Sequence, residues 1–153
     1  MEKNILKSIK IRKLWVKDLP QIISIQEAIT KVKISSKKKT LLRKHIQKEG
    51  SISLVALKEG KILGYVISEI MTDSFGLDQS EWIQNLGVHP KSMGQGIGQT
   101  LATALFEAFK KKKIFEIYTA VQWDSVDLLS FFKSIGFNRS NFINLYKKLD
   151  QKE

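Results

Sequence analysis

Residues 86–101 read LGVHPKSMGQGIGQTL. This segment starts as an apolar strand, passes through a loop that contains Gly94, Gly96 and Gly98, and continues as an amphipathic helix. Glycine lets the backbone come close to a ligand, and the free N–H groups at a helix N-terminus favour an anion such as pyrophosphate. The segment therefore predicts an anion-binding loop between a strand and a helix, with a simple turn as the alternative.

The sequence around this loop predicts a mixed α/β order. Before it we expect a strand over 9–14, a helix from an Asp18 cap to Thr30, a polar helix over 36–48, and a hairpin of strands 52–56 and 62–70. A polar loop over 72–79 then leads to a strand over 81–88, which Pro90 ends. After the loop we expect a helix over 97–111, a strand over 114–121, a helix over 125–135 and a last strand over 141–149. This order predicts one α/β domain over residues 1–153.

Composition excludes several classes of site. The chain has 153 residues and no cysteine, which excludes disulfides, thiolate zinc sites and a cysteine nucleophile. Its two histidines, His45 and His89, disfavour a histidine-rich metal site, so no metal is expected. No apolar run is long enough to span a membrane, and the basic start lacks the apolar stretch of a secretory signal, so we expect a cytoplasmic protein. The net charge of +11 makes nucleic acid, the ribosome or another acidic surface the first hypothesis for a partner.

Other nucleotide-binding and catalytic patterns do not fit. A dinucleotide fingerprint would need its third glycine at Gln99 or Leu101, and a P-loop that ends at Lys61 would need a glycine where Val55 stands. There is also no G-x-S-x-G nucleophile motif. An NAD site, an ATP site and serine hydrolase chemistry are therefore disfavoured.

The loop segment resembles the signature of the GNAT superfamily of acetyl-CoA-dependent N-acetyltransferases. Their strand ends in L-A/G-V-x-P, and R/Q-x-x-G-x-G/A follows at the start of a helix; residues 86–90 and 93–98 stand in these places. A second family block, N-x-x-A-x-x-L-Y/F-x-x-x-G-F, resembles SVDLLSFFKSIGF at 125–137. The resemblance implies a mixed sheet of six or seven strands, splayed near its middle, with helices on both faces. It also implies direct transfer of an acetyl group from acetyl-coenzyme A to a primary amine.

The resemblance also implies which residues contact coenzyme A. Main-chain atoms of Leu86 and Val88 would bind the pantetheine arm, and an amide near Val88 would steady the thioester oxygen. Amides of Gly94 to Gly98 would hold the pyrophosphate, with Gln99 and Thr100 close by. The full set of implied cofactor contacts is Leu86, Gly87, Val88, Met93, Gly94, Gln95, Gly96, Ile97, Gly98, Gln99, Ser125 and Phe132.

Three residues depart from the family pattern. Met93 replaces the usual Arg or Gln, so one side-chain contact to phosphate is lost or comes from Lys91. Ser125 replaces a common Asn. Phe132 stands where many members have the Tyr that protonates the departing thiolate, and phenylalanine has no proton to give. Water or another hydroxyl would then serve, or coenzyme A would leave as the thiolate.

The acceptor amine must be neutral to attack the thioester. At pH 7 this costs about 4–5 kcal/mol for a lysine amine and about 1 kcal/mol for an α-amine, so a general base helps the former more. Glu81 is the first candidate for that base, because it opens the strand that leads to the reaction centre; a solvated carboxylate is the alternative. Glu69, Asp73 and His89 are weaker candidates, and Gln84 occupies a position that the family often fills with a carboxylate.

A basic cluster precedes the hairpin. Its eight cations lie within 31–48 without any acidic residue among them: Lys31, Lys33, Lys37, Lys38, Lys39, Arg43, Lys44 and Lys48. One interpretation is that the cluster attracts an acidic acceptor, such as an acidic peptide or a ribosomal protein. Polyamines, which are cations, are then poor candidates for the acceptor. The alternative is that the cluster is a solvated helix face.

Two other functions stay open beside the enzyme. One is a non-catalytic acyl-CoA-binding module of the same fold, and the other is a basic protein associated with RNA or the ribosome. No nucleic-acid-binding motif occurs in the sequence, so nucleic acid is disfavoured. A homodimer is also open, because edge strands of this fold often pair between subunits.

Overall fold

The computed structural model describes the backbone of residues 8–74 and 77–151, and their side chains except at 73–78. Its contacts divide the chain into two compact units, Met1–Ala120 and Val121–Glu153, and each unit is described by itself. The first unit contains the sheet and three helices, and the second contains one helix. None of the described helices is long and apolar enough to cross a membrane.

The elements follow the predicted order as far as the last helix. The strands are β1 (Lys10–Lys13), β2 (Ser53–Lys58), β3 (Lys61–Ser74), β4 (Leu77–Val88) and β5 (Ile117–Thr119). The helices are α1 (Leu19–Thr30), α2 (Ser36–Gln47), α3 (Ile97–Lys111) and α4 (Val126–Ser134). Short 3₁₀ turns occupy Val16–Asp18 and Pro90–Ser92.

The sheet has the order β1-β2-β3-β4-β5. Its neighbours are antiparallel except β4 and β5, which run parallel. The predicted turn between β2 and β3 is confirmed, because Glu59 and Gly60 both have a positive φ, as the tight turn of a two-residue hairpin requires. The fold class is confirmed as mixed α/β, but the described residues form five strands rather than six or seven.

The two faces of the sheet pack against different helices. Tyr65 and Ile67 point to the face that α1 and α2 cover. The buried core there comprises Leu14, Leu19, Ile22, Ile25, Leu42, Val55, Ile62, Tyr65 and Ile67. Gly64 points to the other face, where a Cβ would lie 3.1 Å from Ile97 Cγ2 and 3.2 Å from Leu101 Cδ1. Helix α3 therefore packs closely on this second face.

Two predicted elements are wrong. Residues 72–79 are not a polar loop, because β3 and β4 continue as a hairpin in which Thr72 pairs with Gln79. Backbone pairing across this hairpin needs no apolar side chains, and for that reason the polar sequence did not predict the strands. Residues 141–149 form no strand either, and Leu145 is 94% exposed. Their alternating pattern has strand propensity, but no described strand pairs with it.

Asp18 stands at the predicted N-cap position of α1, but its side chain does something else. Its carboxylate makes no capping bond to α1. Instead it accepts two hydrogen bonds from Arg12, at 2.7 Å and 3.0 Å, and one from the Trp15 backbone N–H at 2.8 Å. The buried carboxylate therefore fixes the 3₁₀ turn to β1 and sets the direction in which α1 begins.

Candidate active site

The parallel pair β4–β5 is short and leaves part of β4 without an outer neighbour. Strand β5 pairs with β4 only from Glu81 to Ile83. Directly beyond, Gln84 is an extra residue in β4, because Ile67 pairs with Asn85 while Ser68 pairs with Ile83. Among the described strands, none pairs with the outer edge of residues 84–88. The predicted splay therefore lies at this bulge.

The peptide groups at this outer edge belong to Leu86 and Val88. On the inner edge, the N–H of His89 donates to Leu63 O of β3 at 2.8 Å, and the carbonyl oxygen of Gly87 also faces β3. Since peptide groups alternate between the two edges of a strand, those of Leu86 and Val88 point outward. They are free to pair with the main chain of a peptide or with an amide-containing ligand.

The predicted glycine loop follows β4. Gly94 and Gly96 have φ values of +80° and +81°, and Gly96 is the N-cap of α3 without a side-chain capping bond. A Cβ at Gly94 would meet nothing within 4 Å, so space lies beside the loop. The first-turn N–H groups of a helix have no partner within that helix, so the start of α3 has several donors available close to the loop. This arrangement fits the pyrophosphate of coenzyme A.

Glu81 lies at the start of the β4–β5 pair, with its side chain fully buried. Neither carboxylate oxygen makes a hydrogen bond of ordinary geometry within the described residues, and the neighbouring Ser68 hydroxyl donates instead to Ile52 O at 2.6 Å. Burial raises the pKa of Glu81 to about 7, against the opposing effects of Lys112, Ser68 and Lys48. The group can exchange a proton near neutral pH, but a substrate cannot touch it directly.

The weaker base candidates occupy different settings. Burial opposes ionisation of Glu69, but Lys48 and His45 bind its carboxylate, and together they hold its pKa below the ordinary value. His89 accepts a hydrogen bond from the Lys91 backbone N–H at Nδ1, 3.1 Å away. The side chain of Asp73 lies outside the described residues. Gln84 is exposed at the bulge.

Sequence reasoning missed a polar cluster on the face of the sheet beneath α1. The Tyr65 hydroxyl donates to Asn85 Oδ1 at 2.9 Å. The Gln26 side chain approaches the same hydroxyl from α1. Gln26 is 5% exposed, and its amide lies beside the Tyr65 hydroxyl without forming a hydrogen bond of ordinary geometry. Gly87 was the feature of the sequence that could have indicated this cluster, because a glycine inside a strand often marks a close approach by another group.

The second unit contains the second sequence block. Phe132 is buried, and its ring makes edge contacts with Phe131 and Phe137, at centroid distances of 5.4 Å and 5.1 Å. Gly136, with φ +101°, ends the helix and lets the Phe137 N–H donate to Phe132 O at 3.0 Å. Ser125 precedes the helix and makes no side-chain capping bond. The G-F ending of the block thus stops α4 and packs an aromatic ring back on it.

The lysines near the start of α2 are exposed, and their position shows that they do not serve to stabilise the helix. Lys37, Lys38 and Lys39 lie in or next to the first turn of α2, which has no acidic residue and is capped by Ser35. Cations at a helix N-terminus oppose the helix dipole. Helix stability therefore does not account for them. Of the eight cations, Lys33 and Lys48 form ion pairs with carboxylates in the described part of the chain.

Comparison with protein families gives a decisive match. The sequence model of the Acetyltransferase (GNAT) family matches residues 19–137. The chain belongs to the GNAT acetyltransferase family. Members of this family use acetyl-CoA, and no group of three or more metal-ligating side chains occurs among the described residues. A comparison with curated proteins found no match.

Solved structures share the fold. The aminoglycoside acetyltransferase meta-AAC0020 from an uncultured soil metagenomic sample is 26% identical, with a TM-score of 0.79 over 95% of this chain and 99% of that one. AAC(6')-Iy, bound to a bisubstrate analog of CoA and acetylneamine, is 14% identical, with a TM-score of 0.76 over 93% and 99%. The ribosomal-protein-S18-alanine N-acetyltransferase of Escherichia coli is 20% identical, with a TM-score of 0.74 over 87% and 79%.

Proposed function

We propose that this protein transfers an acetyl group from acetyl-coenzyme A directly to a primary amine, within a ternary complex. The observation that carries the proposal is the free edge of β4 at Leu86 and Val88, which runs directly into the glycine loop of α3. A free strand edge binds extended, amide-containing chains by main-chain hydrogen bonds, and pantetheine is such a chain. Since the sequence has no cysteine, no thiol is present to form an acyl-enzyme.

The residues present fit both the pyrophosphate and the pantetheine arm of the cofactor. The space beside Gly94 and the first-turn amides of α3 suit the pyrophosphate. When bound, acetyl-CoA supplies the activated thioester carbonyl. The outward peptide groups of Leu86 and Val88 then hold the pantetheine arm, and the Val88 amide is our candidate for steadying the thioester oxygen as negative charge develops. Met93 offers no charge to the phosphates, so Lys91 is the nearest candidate for that contact.

The remaining cofactor contacts are proposals that rest on the resemblance: Gly87, Gln95, Ile97, Gly98 and Gln99 in the first unit, and Ser125 and Phe132 in the second. The family match spans both units, which supports a single catalytic domain. A cytoplasmic location and a homodimer stay predictions.

Glu81 stays our candidate for the general base. Its pKa of about 7 suits proton exchange near neutral pH. Because its side chain is fully buried, it would act through a water or another side chain rather than by contact with the amine.

The acceptor class follows from two lines of support. Aminoglycosides and a ribosomal protein are the acceptors named for the similar enzymes. The basic cluster favours an acidic acceptor, and an α-amine needs the least help to become neutral. We therefore propose the N-terminal amine of an acidic peptide or ribosomal protein as the first acceptor to test, with aminoglycosides as the second.

The experiment has two stages. Calorimetry with acetyl-CoA should show binding at micromolar concentrations, and failure to bind below millimolar would overturn the proposal. A coenzyme A release assay then compares an acidic N-terminal peptide, a lysine peptide with a blocked N-terminus, and sisomicin. Turnover with any of these supports the enzyme, whereas binding without turnover across the panel favours the acyl-CoA-binding module.

A further inference from the structure

Helix α2 carries a group of exposed cations that form no ion pair with a carboxylate of the described residues. They are Lys37, Lys38, Lys39, Arg43 and Lys44, and we refer to them as the α2 surface. The ion pairs nearby in the sequence involve Lys33 and Lys48, which lie on either side of this group. The charges of the α2 surface are therefore available to a partner.

The opposite side of α2 fixes the orientation of the helix. Leu42 is buried, and Ile46 packs against the core. His45 and Lys48 bind the two carboxylate oxygens of Glu69 on β3, and the His45 contact through Nδ1 measures 2.9 Å. Apolar and ionic contacts thus hold α2 against the sheet while its cations face the solvent. Charges on a fixed helix lose less conformational freedom on binding than charges on a mobile segment.

The cations of the α2 surface weaken the helix that carries them. The first turn contains no acidic residue, and lysines at this end oppose the helix dipole. Lys39 and Arg43 are four residues apart, a spacing at which like charges are destabilising. A bound polyanion would offset both effects, whereas nothing in the described part of the chain does so.

The chemistry of the α2 surface fits a phosphate backbone better than the docking face of an acidic protein. The centres of protein–protein interfaces are poor in lysine and rich in aromatic residues. Helix α2 has no aromatic residue apart from His45, and Leu41, at 46% exposure, is its large exposed apolar side chain. Phosphate backbones are bound mainly by Lys and Arg, without an apolar anchor. The net charge of +11 agrees with such a partner.

The arrangement of the cations favours a duplex, and RNA rather than DNA. Proteins bind single strands by stacking the bases on aromatic side chains, and the α2 surface has none. Lys37, Lys38 and Lys39 follow one another at about 100° around the helix axis, so their charges point in different directions. Two rows of phosphates that face each other across a narrow groove match this spread. The major groove of A-form RNA is narrow, whereas that of B-form DNA is wide.

We propose that the α2 surface binds the phosphate backbone of double-stranded RNA across its major groove, without reading the base sequence. Backbone binding needs no base-reading motif, so the absence of such a motif from the sequence does not oppose it. The α2 surface contributes none of the proposed coenzyme A contacts, and the inference does not depend on the proposed function. An acidic acceptor peptide responds to the long-range field of the same charges, so the two roles are compatible.

The first measurement uses the wild-type protein. Fluorescence anisotropy follows a labelled RNA duplex of about 20 base pairs and arbitrary sequence over a series of salt concentrations. Each phosphate contact contributes about −0.9 to the slope of log K against log salt, so five cations should give a slope of about −4. A DNA duplex of the same length and polyglutamate should each bind at least about fivefold more weakly.

These arms separate the possible partners. Equal or tighter binding of the DNA duplex would overturn the assignment to RNA. Polyglutamate that binds as tightly as the RNA duplex would show that the α2 surface recognises acidic protein, and would overturn the proposal as well.

A matched pair of triple variants then locates the binding. The first replaces three lysines of the α2 surface: Lys37→Gln, Lys38→Gln and Lys39→Gln. The control replaces three exposed lysines at the C-terminal end of α3: Lys110→Gln, Lys111→Gln and Lys113→Gln. The first variant should weaken RNA binding at least about tenfold and reduce the salt slope by about 2 to 3, while the control binds like the wild type. An equal loss in both variants would assign binding to the net charge of the chain and overturn the proposal.

Acetyl-CoA separates this proposal from the proposed function. Saturating acetyl-CoA should leave the RNA duplex bound, and displacement of the RNA would place it on the coenzyme A site and overturn the assignment to α2. Failure of the protein to bind acetyl-CoA would count against the proposed function alone. The wild-type comparison of RNA, DNA and polyglutamate keeps the proposal testable if the triple variants do not fold.

Discussion

Tyr65 leaves no space for a side chain at Gly87. A Cβ on Gly87 would come within 2.8 Å of Tyr65 Cε1 and 3.0 Å of Cζ, both atoms of a rigid, buried ring. The family pattern allows alanine or glycine at this position, and in this chain the aromatic ring on the neighbouring strand selects glycine. The same contact holds the Tyr65 ring in place over β4, where its hydroxyl donates to Asn85.

Gly87→Ala should therefore destabilise the protein by about 1–3 kcal/mol, because the ring must move within a packed core. Urea denaturation measures this cost. The matched background is Tyr65→Leu, in which the opposing ring is gone and the alanine should cost much less. An equal cost in both backgrounds would show that the strain does not come from the ring.

Gly96→Glu should abolish acetyl-CoA binding, since a carboxylate would enter the space expected for pyrophosphate. Gly60→Glu is the matched control: Gly60 has φ +79°, nearly the value at Gly96, and a Cβ there meets nothing within 4 Å. Both variants carry similar backbone strain, and only the former should lose affinity, by about 100-fold or more in calorimetry. Unchanged affinity of Gly96→Glu would refute this placement of the phosphates.

Glu81→Gln should stabilise the protein at alkaline pH. The folded pKa of about 7 lies above the unfolded value, so the folded state binds the proton more tightly and wild-type stability declines as pH rises from about 4 to above 7. The loss approaches about 3 kcal/mol, which a glutamine avoids. Urea denaturation at pH 5 and pH 8 should show a gain for Glu81→Gln mainly at pH 8.

The exposed Glu107 provides the control for this prediction, because Glu107→Gln should show no such difference between the two pH values. A gain for Glu81→Gln of the same size at both pH values would contradict the raised pKa. If Glu81 is also the base, the variant should lose the rise in turnover near pH 7.

Asp18→Asn should destabilise the protein near neutral pH by about 1–3 kcal/mol, because the bidentate Arg12 contact loses its charge. Arg12 holds the pKa of Asp18 below its ordinary value, and the backbone N–H of Trp15 adds to this effect. The stabilisation by the Asp18 carboxylate is present above the pKa that Asp18 has in the unfolded chain. It disappears as the pH falls through the pKa of Asp18 in the folded protein. The difference between wild type and Asp18→Asn should shrink below pH 4, and a constant difference would contradict this account.

Replacing Lys37, Lys38 and Lys39 with Glu tests the basic cluster. Acidic residues at a helix N-terminus are favourable, so the triple variant should fold with equal or slightly higher stability. Its KM for an acidic peptide should rise about tenfold and lose most of its salt dependence, while KM for acetyl-CoA stays unchanged. An unchanged KM for the acidic peptide would leave these lysines as a solvated helix face.

Much of this architecture was readable from local sequence. The helix over 97–111 was predicted at its observed bounds, because its apolar periodicity and the glycines before it are local signals. The strand ending at Val88 and the Glu59-Gly60 turn were also predicted from neighbouring residues. The strand predicted over 141–149 failed because a strand needs a partner, and alternation along one segment does not supply one.

The sequence by itself determined the family, the glycine loop and the absence of any thiol, since each depends on residue identities at short spacing. Only the tertiary structure decided what surrounds Glu81 and what meets the Tyr65 hydroxyl. Gln26, Tyr65 and Asn85 lie 39 and 20 positions apart along the chain, and they meet because strand register and helix packing bring them together. A carboxylate at the start of a strand likewise looks solvated until the neighbouring strands and helix bury it. Burial sets the pKa of both groups, and burial is a property of the folded chain.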